Sequence, residues 1–93
     1  MRYFNVIMKN LERTLKALAN KRRLAILQYL KKVDEATVGD IAEEIKLSFT
    51  ATSKHLGVLF ASDILEKEQR GLEMWYSLSA NRPQAAKHIT SLL

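Results

Sequence analysis

The chain has no cysteine among its 93 residues, which excludes disulfides and thiolate-held metals and is compatible with a reducing interior. Glycine is scarce, with three residues and no Gly-rich loop that would cradle a phosphate. The two histidines, His55 and His88, lie far apart in the chain, and the carboxylates fall mostly on polar helix faces. Nothing resembles a nucleophile with its base, so no catalytic residue and no cofactor are expected. No apolar run approaches the roughly 20 residues of a membrane span, and Met1–Met8 is too short for a signal-peptide core. Repeats, low-complexity segments and linkers are absent. These absences point to one domain over residues 1–93, cytoplasmic, away from membranes.

What is present is positive charge. The net charge is +5 and the pI about 9.7, the balance of a chain that meets a polyanion, although ribosomal and membrane-surface proteins share it. Its distribution is uneven. Lys9 to Lys32 carries eight basic residues against one acid, whereas Val33 to Ser48 carries five acids against one lysine. Phosphate attraction depends on such local arrangement.

The stretch Thr37–Leu59 organises the rest. Val38, Ile41, Ala42 and Ile45 have the spacing of one helix face, with Thr37 as N-cap. Lys46-Leu47 breaks the pattern, and Ser48 offers a second N-cap. In the next helix Thr52, Leu56 and Leu59 point inward. Thr50, Ser53, Lys54 and Gly57 are left outside, a face of small hydrogen-bonding groups and one cation. Two short helices joined by a tight turn, the second with such a face, read as a helix-turn-helix suited to a DNA major groove.

Around this unit the periodicity predicts a first helix over about Phe4–Ala19. Its seam Phe4, Met8, Leu11, Leu15, Leu18 packs on its own core or, in part, on a second copy. Asn20 is expected at its C-terminal end, in the left-handed conformation. A second helix follows over about Lys21–Lys32, with Leu24, Leu27 and Leu30 inward and Ile26 and Tyr29 flanking. Lys21, Arg22 and Arg23 crowd its first turn, where the helix dipole disfavours cations, so they either touch phosphate or are solvated. After about Ser62 the period changes to that of strands. Arg70-Gly71-Leu72-Glu73 reads as the turn of a two-stranded hairpin, a wing, with Trp75 and Tyr76 as packing residues. Ser79 or Asn81 caps a last helix with Pro83 in its first turn, and Ala85, Ala86, Ile89 and Leu93 form its apolar stripe. The fold class is therefore mainly α (α+β), a winged helix-turn-helix.

Leu15–Leu27 (LKALANKRRLAIL) and Leu47–Leu59 (LSFTATSKHLGVL) resemble the opening segment and the recognition helix, LSQSTVSRHLKVL, of the ArsR-type winged-helix regulators. The resemblance covers about Leu15 to Leu78. It implies a transcription regulator binding double-stranded DNA as a homodimer, a repressor that excludes polymerase from a promoter, with the terminal helices as the subunit interface. Carried onto this sequence, that interface takes Phe4, Met8, Leu11, Leu15, Ile89 and Leu93. The DNA-facing set takes Ser48, Thr50, Ala51, Ser53, Lys54, His55, Arg70 and Arg22. Lys54 is the leading phosphate or base contact; Ser48 is first a cap; His55 is a structural histidine or a phosphate contact; Arg70 reaches a minor groove or a phosphate.

The departures from the family pattern are specific. Thr37 and Gly39 stand where metal-sensing members carry thiolates, and beyond Glu73 the last helix offers His88 but no acid, so no metal effector is expected. Phe49 replaces a polar residue and Gly57 a cation of the recognition helix, so no operator sequence carries over. The acidic segment and the weakly basic wing leave one rival open, a winged helix that contacts a protein instead of DNA.

Overall fold

A computed structural model describes all residues, 1–93. Three helices converge on one face of a small sheet. The elements run α1 (Arg2–Leu18), α2 (Lys21–Val33), β1 (Glu35–Thr37), α3 (Val38–Ile45), α4 (Phe49–Ala61), β2 (Leu65–Arg70), β3 (Glu73–Leu78) and α5 (Gln84–Leu92). Ile26, Leu27 and Leu30 of α2 meet Ile41 of α3 and Leu56 and Leu59 of α4, with Ile64, Leu65, Ala36 and Tyr76 closing the core from the sheet side. Each fully buried aliphatic side chain contributes about 1.5–3 kcal/mol of burial. No helix is long and apolar enough to cross a membrane.

The helix-turn-helix forms as its periodicity dictates. Thr37 Oγ1 accepts from the Asp40 amide at 3.2 Å, and Ser48 Oγ accepts from the Ala51 amide at 3.1 Å. Between the helices Lys46 takes φ 55° and ψ 51°. Its amide donates to Glu43 O, and that of Leu47 to Ala42 O. This is the paired closure of a Schellman turn. A lysine held there costs roughly 1–2 kcal/mol relative to a right-handed backbone. Asp63 (φ 62°) ends α4 with the same pair of bonds, from Asp63 to Phe60 and from Ile64 to Leu59.

Four local expectations are corrected. Asn20 is not a left-handed C-terminal residue: at φ −155° and ψ 124° it is the N-cap of α2, its side chain accepting from the Arg22 and Arg23 amides. In α2, Ile26 is fully buried and Leu24 only half-buried, because the sheet and α4 cover adjoining sides of the helix. In α5, Pro83 itself occupies the N-cap position, while Ser79 Oγ accepts from the Asn81 amide one turn earlier. Finally, the β2–β3 hairpin with Gly71 at φ 61° is present, but it belongs to a three-stranded antiparallel sheet of order β1-β3-β2. Glu35, Ala36 and Thr37 pair with Ser77, Tyr76 and Trp75, so the short segment between α2 and α3 is the third strand.

Candidate nucleic-acid interface

Successive residues of α4 rotate by about 100°, so burying Thr52, Leu56 and Leu59 sets where every other side chain lies. Thr50, Lys54 and Gly57 are exposed on the side away from the core, and Ser53 is half-buried on the flank toward the wing. A Cβ added at Gly57 would meet no atom within 4 Å, so the backbone there is bare. Ser48 is exposed, its hydroxyl engaged as cap. Ala51 and His55, both half-buried, line the flank toward α2.

The arginines at the start of α2 bind helix ends, a role that only three adjacent cations in an unfavourable position hinted at. Arg23 Nε donates to Ala17 O at 2.6 Å and Nη2 to Lys16 O at 3.1 Å, closing the carbonyl end of α1. Its Nη1 lies 3.2 Å from His55 Nδ1. An arginine can only donate, so Nδ1 accepts and the neutral ring carries its proton on Nε2. Burial, then the charges of Arg23 and Arg22, hold His55 below the usual imidazole range. Arg22 Nη1 donates to Ile45 O at 3.2 Å, tying α2 to the last turn of α3. Negative partial charge gathers at such carbonyl ends, and cations there are stabilised.

In the wing, Arg70 is engaged within the protein. Its two terminal nitrogens donate to the Glu35 carboxylate at 2.9 and 2.7 Å, and Nε donates to Glu68. The guanidinium lies 5.0 Å from the Trp75 ring centre. Tyr76 packs into the core as expected, whereas Trp75 lies half-buried on the opposite face of the sheet beneath Arg70. The bidentate Glu35 pair was hidden because it depends on β1. It also draws the Glu35 carboxyl below its ordinary range.

The residues assigned to a subunit interface divide by position. Every residue from Met1 to Arg13 is exposed, and α1 turns inward only at Thr14, Ala17 and Leu18. Phe4 is 55% exposed, Met8 42%, Leu11 40% and Leu15 48%. Ile89 and Leu93 are half-buried against the core at the other end of the chain, and α5 packs on α1.

Residues 20–67 match the family model described as "Bacterial regulatory protein, arsR family". The transcriptional activator HlyU of Vibrio cholerae is 35% identical over 71 residues, covering 76% of this chain and 65% of its own length. The chain thus spans a little under two thirds of that relative. The transcriptional repressor SdpR of Bacillus subtilis is 36% identical over 64 residues, 69% of this chain and 70% of SdpR. Among solved structures, the homodimeric winged helix-turn-helix DNA-binding domain Mb0332 of Mycobacterium bovis superposes with a TM-score of 0.81 at 27% identity, covering 95% of this chain and 78% of that one.

Proposed function

Since the chain belongs to the arsR family of bacterial regulatory proteins, and is a winged helix-turn-helix regulator of transcription, we propose that it works as a homodimeric repressor whose α4 enters the major groove of a palindromic operator. The observation that carries this reading is the outward face of α4, where Thr50, Lys54 and bare Gly57 stand free while Thr52, Leu56 and Leu59 anchor the helix. Lys54 supplies charge to a phosphate. Thr50 and Ser53 give hydrogen bonds that tolerate more than one base. Neutral His55 has Nε2–H left to donate to the backbone beside the groove, and Ser48, Ala51 and Arg22 border the same surface. Arg70 takes part only by exchanging Glu35 and Glu68 for phosphate, which ranks it below Lys54. The exposed half of α1, with Ile89 and Leu93 of α5, forms the subunit interface. Two copies about one helical turn apart, roughly 34 Å, then occupy the operator and block polymerase. Thr37 and Gly39 offer no thiolate, and α5 carries His88 with no acid beside it, so neither metal-sensing arrangement of the family can form and zinc should leave DNA affinity unchanged.

Lys54→Ala tests the reading. Titrated with duplex DNA at several salt concentrations, it should bind all sequences more weakly, with a log-log salt slope smaller by about one. A folded Lys54→Ala protein that matches the parent on every duplex, or a parent whose binding ignores salt, would transfer the α4 face to a protein partner.

A further inference from the structure

Phe49 is the first residue of α4 and is 62% exposed, although the helix already supplies the core with Thr52, Leu56 and Leu59. The other phenylalanine of α4, Phe60, has a partner: the Lys67 ammonium sits 4.2 Å from its ring centre. Phe49 instead borders a shallow hollow between α4 and the wing. Val38, Met74 and Leu72, the last fully exposed at the hairpin turn, line it together with Thr37, Gly39 and Glu73. Exposing two large apolar side chains around one hollow, beside Thr50 and Ser53, favours an apolar visitor over open water.

Resting on the reading of α4 as the groove-entering helix, we propose that Phe49 is a specificity-determining residue that selects thymine. The chemistry leaves little choice. On their major-groove edges guanine, adenine and cytosine are recognised through hydrogen-bond donors and acceptors, which a phenyl ring cannot satisfy. Thymine adds a C5-methyl group, the distinctive apolar group in the groove. A ring at the N-terminal end of the helix, the end that approaches base edges most closely, gains by covering that methyl. It also penalises bases whose polar groups it would strip of water. A docking helix would need a row of apolar anchors along the outer face of α4, where Thr50, Ser53, Lys54 and Gly57 stand instead.

The test uses the intact chain. Duplexes enriched by it from a random pool should carry thymine at a fixed place in each half-site, and the same selection with Phe49→Ser should lose that preference. Replacing this thymine by uracil in one half-site deletes only the methyl. The parent should then bind about fourfold more weakly, the loss matching about 0.8 kcal/mol per buried methyl group, while Phe49→Ser binds both duplexes alike. A parent indifferent to the exchange, or an equal loss in both proteins, overturns the assignment while leaving α4 as the DNA-binding helix. Failure of the parent to enrich any duplex, with no salt-dependent binding, overturns both. Unchanged melting of Phe49→Ser keeps loss of fold out of the comparison.

Discussion

His55 occupies the boundary between core and interface, and burial, followed by its arginine neighbours, determines its protonation. Arg23 donates to Nδ1, and burial together with Arg23 and Arg22 disfavours imidazolium. The native pKa therefore lies below the unfolded one, so between the two the unfolded chain binds more protons and stability rises with pH. The contribution is complete above about pH 6.5 and is lost as pH falls toward the native pKa. Urea unfolding at about pH 7.5 and 5.5 should show the parent losing stability on acidification. His55→Gln should lose less, since glutamine takes up no proton over this range. An equal loss in both proteins would assign the acid sensitivity elsewhere. Little of this was legible in sequence. Thr52, Leu56 and Leu59 announce themselves by helical period, and Thr50 and Lys54 follow by exclusion. The Arg23–His55 contact joins residues 32 apart, and no periodicity reports which cation reaches which ring.

Among elements, the wing is where charge and position part. Arg70 lies at the turn end of β2, yet its guanidinium spans to Glu35 of β1 across Trp75. Arg70→Ala should therefore speed amide exchange in β1 and β3 by releasing the edge strand, and should leave the salt slope of DNA binding near that of the parent. A slope reduced by about one unit, as expected for Lys54→Ala, would mean that Arg70 leaves its carboxylates for phosphate. In α4, Gly57 exposes backbone inside a helix with open space around it. Gly57→Ala should raise stability by about 0.5–1 kcal/mol, measured as a higher urea midpoint at unchanged m-value. The hairpin was legible because Gly71 punctuates two β-patterned runs. The third strand was not, since Glu35-Ala36-Thr37 is too short to show a period and its partners, Trp75 to Ser77, lie at the other end of the chain.

At the scale of the whole molecule, the 45 Å long axis of a chain only 26 by 22 Å across accompanies an α1 whose first twelve residues, 2–13, are all exposed. Under the dimeric reading, Met8→Asp with Leu11→Asp should give a monomer by sedimentation, folded in its core and weakened on operator DNA because each copy holds one half-site. A parent chain that sediments as a monomer at tens of micromolar would remove the basis for this. The seam itself was legible in sequence; which of its residues serve the chain's own core was not, because Leu15 and Leu18 share one pattern yet only Leu18 is buried. That uncovered half-helix has a consequence for dosage. A helical segment of about a dozen residues is marginal in water by itself, so under the same dimeric reading it would gain order and partner together. While most chains are single, the number of pairs grows with the square of their number. Halving the concentration of chains would then cut the occupancy of an unsaturated operator about fourfold, not twofold, and the controlled gene would respond steeply to how much of the regulator the cell makes.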